Sequence, residues 1–407
     1  MSEASLPEAL GILRVLLGDA LLVGELSFHA DERMEFRLAP AYLESYPRPV
    51  LGQVFEDNTR RVHRSRMQLP PFFSNLLPEA RNRELIAARI GVAPAREAHL
   101  LAYLGDDLPG NVRVVAEGAL PEVSSEQSLP AAPDLQHPIK YSLAGVQPKL
   151  SMFRGSEGLT FPATGRGGNW LVKTPGTRHQ GAAENEFFSM SWARESGITV
   201  PEIALESMAG LRNVPPELQQ ETGNAYAVAR FDRPIDRPRI HIEDFAQVFD
   251  VYASYDGKYK KANYESIARV LHALSPSSWE EFVRRMVFVV LSANADAHVK
   301  NWSLWYPDGV TAALSPAYDL VSTIEFIEED SLALNLAGSK RWDSVTLDSF
   351  SSLANRAGAD ASETKRVARE SVERTRAAWD RVSSLASPLL RQRLVRHWEN
   401  VPLASLR

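Results

Sequence analysis

An α+β fold in two lobes is predicted by three observations. Strand-like, glycine-punctuated segments dominate up to Ile242, and long amphipathic helical patterns dominate from Glu243 onward. A polar run, Asn294-Ala-Asp296-Ala-His298-Val-Lys300-Asn301, then interrupts the helical half at the exit of a strongly apolar helix. At 407 residues the chain is longer than one hydrophobic core usually serves, so several domains or lobes are expected.

Residues 1–115 form the first expected domain. Within it, Ala20 to Phe28 and Arg33 to Leu38 alternate apolar and polar positions like a hairpin pair, and Glu79 to Arg89 reads as a helix begun near Pro78. Residues 116–138 are rich in Pro, Glu, Ser and Ala without periodicity, and are expected to link domains. Residues 139–242 open with the short apolar segments Lys149 to Phe153 and Trp170 to Lys173, separated by the Gly-rich stretch Gly155 to Gly168. A helix from Ala182 to Ser196, closed by Gly197, comes next, and strands resume at Val200 to Leu205 and Ala225 to Phe231. Residues 243–407 carry helical patterns at Tyr264 to Leu274, Trp279 to Ala293, Ser362 to Ser384 and Pro388 to Glu399. Trp302 to Tyr306 and Val310 to Ala313 read as a hairpin turning at Pro307-Asp308-Gly309.

Composition narrows the function classes. With 44% hydrophobic and 24% charged residues the chain reads as a folded globular protein, and a formal charge of -6 argues against a free-standing nucleic-acid binder. The absence of cysteine excludes disulfides and thiolate zinc sites and fits a reducing compartment, so a cytoplasmic location is expected. Met1 to Glu8 lacks a basic n-region, and Arg14 and Asp19 break the apolar run Ala9 to Leu22, so neither a signal peptide nor a membrane span is expected.

The polar run suits phosphoryl transfer, which asks little of a protein beyond positioning and charge. One carboxylate orients the attacking hydroxyl, while an Asn and a second carboxylate hold metal ions. Asp296 and Asn301 have the five-residue spacing of the protein-kinase loop H-R-D-x-x-x-x-N, although the order here is Asp-x-His, and Asp319 comes after the expected hairpin. Two oxygen ligands with nucleotide phosphates are a usual Mg²⁺ arrangement. Lys173, at a strand end, has the position of a phosphate-binding lysine, with Glu184 and Glu186 both available to pair with it. His298 and Lys300 lie close enough in sequence to touch the reacting phosphate, and Tyr318 precedes the metal aspartate. The loop Ser142 to Lys149 is a candidate phosphate cover with a single glycine. Strands before helices, with this constellation, make the two-lobed fold protein-kinase-like.

Ser142-Leu-Ala-Gly-Val-Gln-Pro-Lys149, Asn294 to Asn301 and Ala317-Tyr-Asp-Leu-Val-Ser-Thr323 resemble the HipA family of serine/threonine kinases, toxins of HipBA-type toxin-antitoxin modules. Phe72-Phe-Ser-Asn-Leu-Leu-Pro78 and Leu104-Gly-Asp-Asp-Leu-Pro-Gly110 look like that family's N-terminal subdomain. The resemblance implies an ATP- and Mg²⁺-dependent protein kinase that arrests growth. Asp296 would be catalytic, with His298 and Lys300 beside it, and Asn301 and Asp319 would be the metal ligands. Lys173, His298, Tyr318, Gly145, Gln147 and the backbone of Glu243 and Phe245 would meet ATP, and Ser142 would be the site of inactivating autophosphorylation. It further implies a helix-turn-helix HipB-like antitoxin, operator DNA reached mainly through that antitoxin, and a protein substrate such as an aminoacyl-tRNA synthetase. The competing readings are a catalytically silent co-repressor subunit and a kinase for a small molecule or lipid head group. The intact set Lys173, Asp296, Asn301 and Asp319 argues against the first. The basic residues of Glu363 to Arg381 are interleaved with acids, which reads as a solvated helix face rather than a DNA contact.

Overall fold

Among the described residues three antiparallel sheets, each backed by apolar side chains, organise the fold. The structure is a computed structural model describing residues 9–118 and 149–406, apart from 157, 165, 176–178, 216–217, 220–221 and 254–256. The first sheet consists of β1 (Ala9–Leu17), β2 (Leu21–His29), β3 (Arg33–Leu38), β4 (His63–Arg66) and β5 (Val112–Glu117), in the order β4-β3-β2-β1-β5. Leu13, Val15, Val23, Leu26 and Phe36 are buried in its core with Phe55, Phe72 and Phe73. The expected hairpin is therefore the centre of a larger meander. β1 is a strand that the sequence does not announce, because its leucines and valines also suit a helix.

The second sheet runs β7-β6-β8-β10-β9, from β6 (Lys149–Gly155), β7 (Gly158–Thr160), β8 (Trp170–Lys173), β9 (Ile203–Ser207) and β10 (Asn224–Ala229). One face closes on Leu150, Met152, Phe161, Val172 and Ala227. On the other side, helix Ala182–Glu195 carries Phe188 and Trp192 into a cluster with Phe288, Trp379 and Leu390 that joins this lobe to the helical one. The strand expected to run to Phe231 ends at Ala229, one residue before a last in-register bond from the Arg230 N–H to the Asn169 carbonyl, after which the chain turns with Arg233 N–H donating to Arg230 O.

The third sheet, β11 (His241–Asp244), β12 (Ser303–Tyr306) and β13 (Ala313–Leu314), lies in the helical lobe. β11 thus straddles the boundary expected at 242 and, through its pairing with β12, belongs to the helical lobe. The second hairpin strand starts at Ala313 rather than Val310, because the Asp308 carboxylate takes the N–H groups of Val310 and Thr311 at 2.8 and 2.7 Å. Helices Tyr264–Leu274, Trp279–Leu291, Ala361–Val382 and Pro388–Asn400 match their apolar periodicity, and an unforeseen helix, Leu347–Ala357, completes their bundle. Arg366 on the long helix is spent on Glu363 and Glu370, in keeping with a solvated face. No described helix is long and apolar enough to cross a membrane.

The first domain touches both kinase-like lobes. Asp107 accepts from Gly167 N–H at 2.6 Å in the second-sheet lobe and pairs with Arg233, while the Asn75 amide donates to Val251 O at 2.8 Å in the helical lobe. Gly110 sits where this domain meets β11. Its φ is +65°, and a Cβ there would lie 2.7 Å from Ile242 N, so only glycine fits.

Candidate active site

A cavity of about 910 Å³ lies between the two kinase-like lobes, and most of the residues singled out from the sequence line it. β8 brings Lys173 to its roof. In the antiparallel register Lys173 stands opposite Lys149 on β6 and Tyr226 on β10, which sets two ammonium groups side by side. Carboxylates compensate for that repulsion. The Lys173 ammonium donates to both oxygens of Glu186 at 2.6 and 2.7 Å and also pairs with Asp319, while Lys149 lies 4.0 Å from Asp319. Glu186 rather than Glu184 is the partner because residues two apart face different sides of a helix, and Glu184 instead accepts from the Asn224 amide at 2.9 Å. Burial by itself would discharge Lys173, but Asp319 and Glu186 outweigh it and hold the ammonium above the usual lysine range. Burial likewise works against Asp319, yet Lys173 and Lys149 hold its carboxyl well below the usual carboxylate range.

The catalytic-loop candidates form at the end of helix Trp279–Leu291. Asn294 is a structural cap whose Oδ1 accepts from the Asp296 N–H at 3.0 Å, which frees the Asp296 side chain to enter the cavity, 46% exposed. Asn301 donates its Nδ2 to Asp296 O at 2.7 Å, leaving Oδ1 as the amide's remaining acceptor. Asp319 takes the left-handed conformation at φ +57°, uncommon outside glycine and concentrated at functional positions. Among the described residues no group of three His, Asp or Glu could hold a metal ion. Asn301 Oδ1 and the Asp319 carboxylate nevertheless fit Mg²⁺, which is commonly held by one or two protein oxygens together with phosphates and water.

His298 is buried, with Nε2 3.8 Å from Asp296 Oδ1 and its ring edge-to-face with Tyr259 at 5.1 Å. Burial pulls its pKa below the usual imidazole value, with Asp296 opposing. Its Nδ1 is a buried atom with no protein hydrogen-bond partner among the described residues. The Tyr318 hydroxyl contacts Lys300 O at 2.8 Å and Ser303 Oγ at 2.5 Å, and its ring lies 5.8 Å from that of Phe231 along the cavity wall.

Two expectations need correction. Glu243 and Phe245 do not offer their backbone to the cavity. Phe245 N–H donates to Trp302 O at 3.0 Å, while the fully buried Glu243 side chain accepts from Gln53 N and Tyr306 OH of neighbouring packed elements. The chain that lines the cavity as it passes between lobes is Val228 to Asp232. Lys300 is not a free cation beside the phosphates. It is buried, donating to Asn75 O and Oδ1 at 3.1 Å each, with Asp244 at 3.3 Å and Glu79 at 3.4 Å. Ser142, Gly145 and Gln147 lie outside the described residues.

Sequence reasoning also missed Lys149, Tyr259, Asn75 and Glu79. Lys149 was visible as the last residue of its loop motif; Asn75 and Glu79 reach Lys300 from another domain, with no local signal. Glu79 is the acid-sensitive member. Burial would raise it, but Lys300 and Lys258 pull it down to about 2. Since its folded value lies below its unfolded one near 4.5, its stabilisation is present above pH 4.5 and is lost as pH falls toward 2. Glu79→Gln is therefore expected to flatten the acid limb of the unfolding free energy against pH, removing about 3 kcal/mol of its fall. An unchanged slope would contradict the pairing.

Comparison with known proteins places these features in context. Residues 13–115 match the family model described as the HipA N-terminal domain, and residues 141–379 match the HipA-like C-terminal domain. The Sinorhizobium fredii protein Y4dM is 43% identical over 381 residues, covering 90% of this chain and 92% of the relative, and Y4mE of the same organism is 30% identical across 72% and 74%. A Shewanella oneidensis protein named serine/threonine-protein kinase toxin HipA is 27% identical, covering 81% and 79%. Among solved structures, a complex of Shewanella oneidensis HipA, HipB and operator DNA superposes with a TM-score of 0.71 at 22% identity, covering 97% of this chain and 96% of that one, which is a likeness of fold.

Proposed function

The chain belongs to the HipA family, and from that premise we propose that it is an ATP- and Mg²⁺-dependent protein serine/threonine kinase that acts as a growth-arrest toxin. The observation that supports this most is the Lys173 ammonium, fixed between Glu186 and Asp319 in the same cavity that Asp296 and Asn301 line. In this reading Asp296 receives the proton of the acceptor hydroxyl, and Lys173 and Lys149 offset charge on the nucleotide phosphates. Asn301 and Asp319 hold Mg²⁺, which when bound supplies further neutralisation of phosphate charge. Val228 to Asp232 and Tyr318 line the nucleotide's slot, and His298 lines the same cavity beside Asp296. A buried Glu186 and a partly buried Asp319 around one buried lysine would be a costly arrangement to keep in a silent subunit.

The partners proposed are a helix-turn-helix antitoxin of the HipB kind and, through it, operator DNA, in keeping with the complex in which the fold relative was solved. The acceptor proposed is a translation component such as an aminoacyl-tRNA synthetase, with Ser142 as the site of self-inactivation in the cytoplasm. A phosphoserine, at about -1.5 to -2 charge, would be repelled from the ATP phosphates that its loop is read as covering. The test is incubation of the purified chain with labelled ATP and Mg²⁺, with and without EDTA, followed by phosphosite mapping. Metal-dependent label on Ser142 and on a cellular protein is expected. A chain that binds antitoxin but incorporates no label would overturn the enzyme reading.

A further inference from the structure

We propose that Glu79 is a positioning residue through which the N-terminal domain sets the orientation of the Asp296 carboxylate. The inference rests on the reading of Asp296 as the catalytic base. Glu79 is largely buried at the cavity edge and faces two lysines from different segments of the helical lobe, Lys300 at 3.4 Å and Lys258 at 3.5 Å. Each lysine leads to Asp296 by a different route.

Lys300 lies between Asp296 and Asn301 in the loop. Its ammonium is anchored to Asn75 and Glu79 of the N-terminal domain and to Asp244 of the helical lobe at 3.3 Å, and its carbonyl is held by the Tyr318 hydroxyl. Displacing that ammonium would move the turn whose Asn301 amide grips Asp296 O. Lys258 adjoins Tyr259, and the Tyr259 hydroxyl donates to Asp296 Oδ1 at 2.7 Å while its ring packs edge-on to His298. Oδ1 is thereby engaged by the protein, and Oδ2 remains for an acceptor hydroxyl. A base held by a third group in this way is the usual arrangement of a preorganised site. One carboxylate of the first domain thus steadies both the main chain and the side chain of Asp296, which gives that domain a part in the chemistry beyond covering the lobes.

The experiment uses five forms of the full-length chain: wild type, Glu79→Gln, Glu79→Asp, Tyr259→Phe and the Glu79→Gln, Tyr259→Phe double variant. Transfer from labelled ATP to dephosphorylated casein gives kcat and KM for ATP, and ADP titration counts folded, nucleotide-competent sites. Glu79→Gln is expected to lower kcat per competent site about 10-fold or more with KM for ATP unchanged, because misplacement of the base leaves binding intact. Glu79→Asp should recover part of the loss. Tyr259→Phe should reproduce it, and the combined Glu79→Gln and Tyr259→Phe chain should lose less than the product of the two, as expected for residues acting along one path. A Glu79→Gln chain with fewer competent sites but wild-type kcat at each would overturn the inference, leaving Glu79 a purely structural residue. A wild type that binds ADP and transfers nothing would overturn the kinase reading itself, and this inference with it.

Discussion

Asp296→Asn is expected to lower phosphate transfer by about 10²–10⁴-fold, the range that a positioned general base supplies, while nucleotide binding stays nearly unchanged. The substitution keeps the side chain's shape and removes the group that receives the proton. Asp296 is suited to the part because its carboxylate is half-exposed to the cavity, whereas Asp319 and Glu186 are committed to Lys173. Initial rates with labelled ATP, set beside nucleotide titrations of both forms, separate the two effects. In cells the wild type should arrest growth and Asp296→Asn should not. Equal rates for the two proteins would remove Asp296 from the chemistry.

Lys173→Met carries the second large effect, and it falls on stability as well as activity. Removing the ammonium leaves Glu186 facing Asp319 in a buried setting, and breaking such a network typically costs about 3–5 kcal/mol. The penalty has a defined pH dependence. Buried carboxylates without their cation have folded pKa values above the unfolded ones, so the variant's deficit should shrink as pH falls and grow as pH rises. Lys173→Met with Glu186→Gln should regain most of the lost stability, because the orphaned charge is gone, yet remain inactive. Denaturant midpoints and transfer rates on the three proteins check this. A Lys173→Met protein as stable as wild type would mean that the Lys173–Glu186 contact is not the tight pair its 2.6 Å distance describes.

The legible parts of the chain are those whose information is local. Helix Tyr264–Leu274 and strand Trp170–Lys173 have the bounds that their apolar spacing predicts, because caps and burial coincide there: Asn263 accepts from Ser266 N–H, and Trp170 and Val172 are buried on alternate positions. Asp296, Asn301 and Asp319 were legible as a spaced set and line one cavity. The illegible parts depend on contacts distant in sequence. Lys300 looked like a free cation in its own loop, and only the approach of Asn75 and Glu79 from the first domain turns it into an anchor. The backbone of Glu243 and Phe245, which the family resemblance set against ATP, is consumed by pairing with β12 and by the bond to Trp302 O, and Val228 to Asp232 line the cavity at the passage between lobes. The choice between Glu184 and Glu186 was open in sequence because both lie in the first turns of their helix; the fold decides it by rotating one of them toward Asn224.

The most direct measurement is a crystal structure of the chain with Mg²⁺ and a non-hydrolysable ATP analogue. The expected result is the nucleotide in the inter-lobe cavity, phosphate oxygens on Lys173, the metal on Asn301 Oδ1 and Asp319, and Asp296 Oδ2 facing the terminal phosphate with Oδ1 still held by Tyr259. A nucleotide bound elsewhere, or a metal that avoids Asn301 and Asp319, would contradict it.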